Sequence, residues 1–209
     1  RPKDQSYVLA PLTQPQLRRA WFPLGEMTKK EVREHAWGLD FGMATKKESQ
    51  EICFIPNRDY AGWIKKRASA MPEGPILDTD GKVLGTPQGL MHYTIGQRRG
   101  LGLGGGPWYV AGKDHEQNLI LVVHADDLAG QARHGFIVSS PHWIAEPPVR
   151  PDLQVKIRHG ERIDPCTVAV RDDGSFDVEF DGTSDPGIAP GQFAVLYDGE
   201  ECLGGGVIS

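Results

Sequence analysis

Short runs of β-forming residues, separated by turn signals, make up the sequence from residue 74 to its end. Asp-Gly pairs, which are typical of tight hairpin turns, occur among others at Asp80-Gly81, Asp173-Gly174 and Asp198-Gly199. The last two are flanked by apolar and β-branched runs, at 168–171 with 175–180 and at 193–197 with 202–208. This pattern predicts consecutive hairpins, and therefore a small β unit followed by a β-barrel.

The first 56 residues show helical punctuation instead. Thr28 and Glu31 form a capping box, because each side chain can accept a hydrogen bond from the backbone N–H of the other residue. Apolar residues at helical spacing follow this box and predict a helix. Further helices are predicted over 13–20 and, with Asn57 as N-cap, over 57–68; short strands are predicted over 7–10 and 52–55. We interpret this block as the edge of an α/β unit.

The composition is that of an ordinary folded protein without a membrane span. Charged residues make up 24% of the chain and hydrophobic residues 39%, and the apolar runs are too short to cross a bilayer. The net charge of −5 argues against wholesale coating of nucleic acid but is compatible with a local basic patch. The chain begins Arg1-Pro2-Lys3, without a secretory segment, and we expect this beginning to lie inside a domain.

Three cysteines, Cys53, Cys166 and Cys202, form no CxxC pair, and their odd number argues against a disulfide framework. We therefore expect a cytoplasmic protein with no metal site in this chain. Cys53 follows Lys46 and Lys47, whose charge would lower the pKa of a thiol and favour a reactive thiolate. The alternative is a buried cysteine that acts as a small hydrophobic residue. Cys166 and Cys202 lie in β runs and are predicted to be packed core thiols.

The densest motif is the glycine-rich stretch 89–106, which contains Arg98 and Arg99. Glycine lets a backbone approach a phosphate or a base closely, and adjacent guanidinium groups supply positive charge and forked donors. The stretch is not a GxxxxGK[ST] phosphate loop. Nucleic-acid contact and a flexible loop with a solvated charge pair are both compatible with it, so Arg98 and Arg99 are candidate RNA contacts.

Several runs together carry a family resemblance. They are Lys3-Asp4-Gln5-Ser6-Tyr7, the segment around Cys53, the stretch 89–106, Pro107-Trp108-Tyr109-Val110 and Cys202-Leu203-Gly204-Gly205-Gly206. In this order, and over essentially the whole chain, they resemble the bacterial tRNA-specific 2-thiouridylases. The resemblance implies an α+β, multi-domain protein. Its expected parts are the carboxy-terminal part of an ATP-binding α/β (PP-loop) domain of the adenine-nucleotide α-hydrolase type over 1–57, a central β-rich domain over 58–130 and a tRNA-binding β-barrel over 131–209.

The resemblance also implies a chemistry. Members of this family use ATP, with Mg, to adenylate the C2 oxygen of the wobble uridine (U34) of tRNA and then replace that oxygen with sulfur carried as a cysteine persulfide. Cys53 matches the persulfide carrier, and the implied tRNA contacts are Lys3, Asp4, Gln5, Arg158, His159 and Gln192. The family more often has an aromatic residue where this chain has His159. The implied partners are the tRNA anticodon stem-loop and a sulfur donor, either a cysteine desulfurase or a sulfur-relay protein.

Two catalytic elements of the family have no match in these 209 residues. They are the ATP-binding Ser-Gly-Gly-x-Asp-Ser loop and the first catalytic cysteine in its Asp-x-x-Cys setting. We therefore expect ATP and Mg to be bound by an absent amino-terminal part, and the chain alone to be inactive. Two alternatives stay open for the isolated chain: an RNA-binding module whose Cys53 is inert, and a persulfide relay that does not bind RNA.

Overall fold

The computed structural model describes residues 4–45, 55, 59–67, 74–87 and 89–209. Its chain divides into two compact units, one formed by Pro15–Ala70 and the other by Arg1–Gln14 together with Met71–Ser209. None of the helices in these ranges is both long enough and apolar enough to span a membrane. The strand predicted over 52–55 lies, apart from Ile55, outside the described residues.

Short helices account for most of the regular structure described before residue 70. They are α1 (Gln14–Leu17), α2 (Lys29–Gly38), α3 (Tyr60–Lys65) and a 3₁₀ turn at Gly42–Thr45. The capping box of α2 is confirmed, because Glu31 N donates to Thr28 Oγ1 at 3.3 Å and Thr28 N donates to Glu31 Oε2 at 2.6 Å. The predicted helices around α1 and α3 are present but shorter. Asp59, rather than Asn57, caps α3, since its Oδ1 accepts a hydrogen bond from Gly62 N at 2.8 Å.

The strand predicted over 7–10 is wrong, because Ser6–Leu9 form a 3₁₀ helix. A strand would place Tyr7 and Ala10 on opposite faces, whereas a 3₁₀ turn places residues three apart on the same face. Both residues pack in one cluster with Val195 and Tyr197 of the later β structure, and Ala10 is completely buried there. Burial of one face of this short segment therefore decides its conformation.

A four-stranded sheet follows, in the order β2-β1-β4-β3. Its strands are β1 (Ile76–Leu77), β2 (Val83–Gly85), β3 (Trp108–Asp114) and β4 (Leu119–His124). The predicted turn after β1 is confirmed, with Asp78 Oδ1 accepting hydrogen bonds from the backbone N of Asp80 at 3.0 Å and of Lys82 at 2.9 Å. The glycine-rich stretch contributes Leu90, Tyr93 and Leu101 to the core beside this sheet, so the stretch is anchored at several points.

Six strands then close a barrel in the order β10-β5-β8-β7-β6-β9. They are β5 (Gly135–Trp143), β6 (Asp152–Lys156), β7 (Asp164–Val170), β8 (Phe176–Phe180), β9 (Phe193–Asp198) and β10 (Glu201–Ile208); a 3₁₀ helix at Ala125–Gln131 connects β4 to β5. Both predicted hairpins are confirmed, as antiparallel β7–β8 and β9–β10. Alternate residues of β7 point inward, which places Cys166 and Val168 in the core with Phe176 and Val178 of β8.

The glycine run of β10 allows the barrel to close. A Cβ atom on Gly205 would lie 1.9 Å from the carbonyl oxygen of Ala194 on β9, a separation that no side chain can occupy. Glycine is therefore required where β10 passes its neighbouring strand.

Candidate nucleic-acid interface

Two predicted site residues, Lys3 and Cys53, lie outside the described residues. The other predicted contacts can be placed, and they are Asp4, Gln5, Arg98, Arg99, Arg158, His159 and Gln192. All seven are exposed except Gln192, which is half-buried.

The segment after Asp4 packs against the loop that follows β6. The hydroxyl oxygen of Tyr7 lies 3.3 Å from Nδ1 of His159, and the two ring centres are 6.4 Å apart. Lys156 Nζ lies 5.4 Å from the centre of the Tyr7 ring and donates a hydrogen bond to the carbonyl oxygen of Gly160. The structure thus brings Asp4 and His159, from two separate predicted contact segments, to the same edge of the barrel.

A cleft of about 310 Å³ lies at this junction. Its walls include the rings of Tyr7 and Tyr197, the ammonium group of Lys156 and three carboxylates, those of Asp4, Glu161 and Glu200. Burial, followed by the nearby Cys202 and Asp4, raises the pKa of Tyr197 to about 12, so its phenol keeps its proton far above neutral pH. Carboxylates repel phosphate, whereas aromatic rings offer stacking surfaces, so the cleft suits a base or a ribose better than a phosphate.

Arg158 and Arg162 share one buried carboxylate. Arg158 Nη2 and Arg162 Nη1 both donate to Oδ2 of Asp185, the second at 3.0 Å, while Gly187 N donates to Oδ1 at 2.7 Å. The Asp185 side chain is 0% exposed, whereas those of Arg158 and Arg162 are 42% and 47% exposed. Burial and the positive charge of Arg162 lower the pKa of Arg158. The carboxylate is therefore inside, and the cationic groups face solvent.

This arginine pair adjoins the loop that carries Arg98 and Arg99. A Cβ atom on Gly96 would lie 3.0 Å from Cα of Gly187, and one on Gly187 would lie 2.6 Å from Nη1 of Arg158. Glycines at both positions thus allow the glycine-rich stretch to meet the barrel next to Arg158. The arginines of the two groups are therefore carried by adjoining loops.

The side chain of Gln97 fixes the conformation of the Arg98–Arg99 loop. Its Oε1 accepts a hydrogen bond from Thr94 N, and its Nε2 donates to the carbonyl oxygen of Arg99, both at 2.9 Å. Two backbone hydrogen bonds with Val110 on β3 add to this, from Gly96 N at 2.8 Å and to Gln97 O at 3.0 Å. The loop is therefore ordered by its own contacts, while both arginine side chains remain exposed.

Gln192 ends the connection between β8 and β9, which also carries Asp185 and Gly187. Its backbone N donates to the carbonyl oxygen of Ala189 at 3.2 Å, and its carbonyl oxygen accepts from Ile208 N at 2.8 Å. These bonds fix its backbone at the start of β9. The same connection therefore carries a predicted contact and the carboxylate that holds Arg158.

Sequence reasoning missed Arg162 and Asp185. The signal available was the spacing of Arg158 and Arg162, four residues apart around a glycine, but the sequence does not reveal their shared partner. Asp185 follows Arg158 by 27 residues and Arg162 by 23 residues, so only the barrel topology brings them together.

The two described cysteines are packed, as predicted. Cys166 is completely buried, and this burial, with smaller contributions from Asp181 and Asp164, raises its pKa to about 12. Cys202 is half-buried against the cluster that holds Ala10, and burial raises the pKa of its thiol as well. A thiolate is the reactive form of cysteine, so neither residue is suited to sulfur transfer. Over the described ranges, no group of three or more His, Cys, Asp or Glu residues could hold a metal ion.

Three domain models match consecutive parts of the chain. They are the tRNA methyl transferase HUP domain over residues 1–57, the tRNA methyl transferase PRC-barrel domain over 62–124 and the aminomethyltransferase beta-barrel domain over 133–208. With the six-stranded barrel and the mixed helix and strand content, these matches confirm the predicted α+β, multi-domain fold class.

The chain is also similar to two curated proteins named tRNA-specific 2-thiouridylase MnmA. One is from Yersinia pestis (strain Pestoides F) and the other from Yersinia pseudotuberculosis serotype O:1b (strain IP 31758). Each is 43% identical over 216 residues, an alignment that covers 99% of this chain. The chain spans 57% of the length of these relatives.

Proposed function

The chain belongs to the family of tRNA-specific 2-thiouridylases, and from this premise we propose that it is the tRNA-binding and sulfur-carrying part of a tRNA-uridine 2-sulfurtransferase. The proposed enzyme thiolates C2 of the wobble uridine (U34) in an ATP-dependent reaction. The observation that carries the proposal is 43% identity sustained over 99% of the chain.

Cys53 is the proposed sulfur carrier. A sulfur donor protein, either a cysteine desulfurase or a sulfur-relay protein, would transfer a sulfur atom to its thiolate and so form a persulfide. A second thiolate would then attack the Cys53 sulfur, forming a disulfide and releasing the outer sulfur as hydrosulfide. The hydrosulfide would bond to C2 as the adenylated oxygen leaves with AMP. The chemistry of the other two cysteines supports this choice, because burial raises the pKa of both Cys166 and Cys202.

The proposed RNA partner is the anticodon stem-loop of tRNA. Exposed arginines on two adjoining loops, Arg98 with Arg99 and Arg158 with Arg162, suit an RNA backbone. The cleft beside Tyr7 and His159 offers rings and polar groups that suit an unstacked base. Lys3, Gln5 and Gln192 are proposed as further contacts on the strength of the resemblance.

ATP and its Mg would be held by another part of the protein. The residues present do not fit that role, because the 209-residue sequence contains no Ser-Gly-Gly-x-Asp-Ser loop and the described ranges contain no metal-binding group. We therefore assign no step of uridine activation to these residues. The isolated chain is expected to carry sulfur and bind tRNA without completing thiolation.

Peptide mass spectrometry tests the proposal. The chain would be incubated with a cysteine desulfurase and L-cysteine, then alkylated and digested, with Cys53→Ser as the matched control. We expect one added sulfur atom on the Cys53 peptide, and none on the Cys166 and Cys202 peptides. Sulfur on none of the three, together with tight tRNA binding, would favour an RNA-binding module with an inert cysteine. Sulfur on Cys53 without tRNA binding would favour a persulfide relay.

A further inference from the structure

We propose that Arg162 is a further RNA-contacting residue, and that Arg158 and Arg162, held together by the buried Asp185, form one site for a backbone phosphate. This inference rests on the proposed function and deepens it, because it adds a residue and a chemical group to the tRNA interface. The ligand class is a phosphodiester of the RNA backbone.

The hydrogen bonds around Asp185 fix both guanidinium groups before any ligand arrives. Arg158 and Arg162 donate to the same oxygen, Oδ2, and the backbone N of Gly187 donates to Oδ1 at 2.7 Å. Two backbone hydrogen bonds with Arg133, at 3.1 and 3.0 Å, also hold Asp185 in place. Ordering a long cationic side chain costs conformational entropy, and here that cost is met on folding rather than on binding.

The arrangement leaves donors available on the solvent side. The described contacts of Arg162 use its Nε, which donates to Asp164 at 2.8 Å, and one hydrogen of Nη1. Three of the five guanidinium hydrogens therefore remain for a ligand. A phosphate oxygen accepts from such groups with charge assistance, and guanidinium is the side chain best matched to this geometry.

The charges are layered so that an anion is attracted from outside. The side chains of Asp185 and Asp164 are 0% and 11% exposed, whereas that of Arg162 is 47% exposed. Arg158 and Arg162 also repel each other, and after burial this repulsion is the next cause of the lowered pKa of Arg158. A phosphate bound between the two outer edges would relieve the repulsion. The contact of Gly187 with Gly96 places the loop of Arg98 and Arg99 next to this site, so a phosphate chain could continue across both loops.

Salt-dependent binding of the 209-residue chain to an unmodified tRNA transcript tests the inference. We expect Arg162→Ala to weaken binding about fivefold to tenfold at about 0.1 M salt and to lower the slope of log affinity against log salt by about one. Arg171→Ala is the matched control, because Arg171 on the same barrel pairs with Asp177 and is 41% exposed. We expect the control to keep both the affinity and the slope of the wild type.

Two more variants distinguish the loss of an RNA contact from the loss of folding stability. Arg162→Lys keeps the positive charge but loses the paired donors of the guanidinium group. It should therefore retain the wild-type salt slope and lose about twofold to threefold in tRNA affinity. Asp185→Asn should weaken binding even at temperatures where its circular dichroism equals that of the wild type, since it releases both arginines. If Asp185 and its two arginines only stabilised the fold, Asp185→Asn would lower the unfolding midpoint and leave the tRNA affinity at those temperatures unchanged.

The outcomes distinguish the inference from the proposed function. If Arg158→Ala weakens tRNA binding while Arg162→Ala and Arg162→Lys match the wild type, the phosphate site is overturned and the tRNA-binding role stands. If the wild-type chain shows no salt-dependent tRNA binding, the tRNA-binding part of the proposed function fails, and the phosphate site fails with it.

Discussion

The hydroxyl group of Tyr7 lies 3.3 Å from Nδ1 of His159, although 152 residues separate the two in sequence. This contact joins the segment that begins at Asp4 to the loop that carries Arg158. The nearby ammonium group of Lys156, 5.4 Å from the centre of the Tyr7 ring, adds a cation–π contact at the same place. Tyr7 therefore positions two predicted RNA-contact segments against each other without having been predicted as a contact itself.

Removing the Tyr7 hydroxyl should loosen His159 while leaving the packing intact. We expect Tyr7→Phe to weaken tRNA binding about twofold to threefold and to lower the free energy of unfolding by about 1 kcal/mol or less, the usual contribution of one hydrogen bond. Tyr7→Ala also removes the ring from the cluster with Ala10 and should cost about 2–3 kcal/mol. Tyr109→Phe, at a half-buried tyrosine on β3, is the control. Equal tRNA affinity for Tyr7→Phe and the wild type would show that the hydroxyl does not position His159.

The contact between Gly96 and Gly187 predicts a difference between two glycines of the same stretch. Gly96 has a φ of 82° and Gly102 a φ of 68°, so alanine is strained at both, by about 1–2 kcal/mol. Only at Gly96 does a new Cβ meet a neighbour, 3.0 Å away, whereas nothing lies within 4 Å at Gly102. We expect Gly96→Ala to lower the free energy of unfolding by about 1 kcal/mol more than Gly102→Ala does.

Urea unfolding of both variants measures that difference, and tRNA titration of the same samples tests its consequence. The larger loss of affinity should occur in Gly96→Ala, because its loop must shift away from Arg158. Indistinguishable stabilities would mean that the two loops can separate without cost, which would contradict close packing of Gly96 against Gly187.

Burial of Cys166 makes the stability of the fold depend on alkaline pH. Its pKa rises from 9.0 to about 12 on folding. Between these values the unfolded chain loses the thiol proton while the folded chain keeps it, so the unfolded state binds fewer protons and the free energy of unfolding falls as pH rises. Below about pH 9 this contribution is constant.

Cys166→Val removes the titrating group at nearly the same volume and should flatten this decline. Urea unfolding at about pH 8 and about pH 10.5 measures it, with the pH-dependent change of the wild type set against that of the variant. Tyr197, whose pKa is raised to about 12, contributes to the decline in both proteins and cancels in the difference. Equal changes in the two proteins would show that the Cys166 thiol is accessible to hydroxide.

Local signals in the sequence predicted those elements whose cause is local. The capping box of Thr28 and Glu31 and the Asp-Gly turns of the two barrel hairpins involve residues within a few positions, and the structure confirms them. The strand predicted over 7–10 was wrong because the conformation of this segment depends on the distant Val195 and Tyr197. Its apolar run alone is equally compatible with a strand.

In the candidate site, too, some residues could be predicted from local sequence and others could not. Arg98, Arg99, Arg158 and His159 could be named from motif and resemblance, since each carries its chemistry in its own side chain. The buried carboxylate of Asp185 could not, because its role arises only when the β8–β9 connection folds over the loop after β6. The roles of all the predicted contacts, and the domain boundaries after residues 57 and 130, stay predictions.

In a longer protein that includes the ATP-binding part, loss of the proposed carrier thiol should stop sulfur transfer without stopping ATP-dependent activation of the tRNA. We expect Cys53→Ser to abolish formation of 2-thiouridine while ATP-dependent activation of the tRNA continues at a rate close to that of the wild type. The reason is that the hydroxyl of serine cannot form a persulfide, whereas activation needs no sulfur. Nucleoside mass spectrometry of the tRNA measures the first quantity, and release of pyrophosphate measures the second.

Cys202→Ser is the matched control for this experiment, because Cys202 is a half-buried thiol whose raised pKa disfavours the thiolate. We expect this variant to make 2-thiouridine at close to the wild-type rate, with at most a lower unfolding midpoint. Normal thiolation by Cys53→Ser would show that Cys53 is not the carrier. Loss of both thiolation and pyrophosphate release would instead place Cys53 in the fold or in substrate binding, since a sulfur carrier acts only after activation.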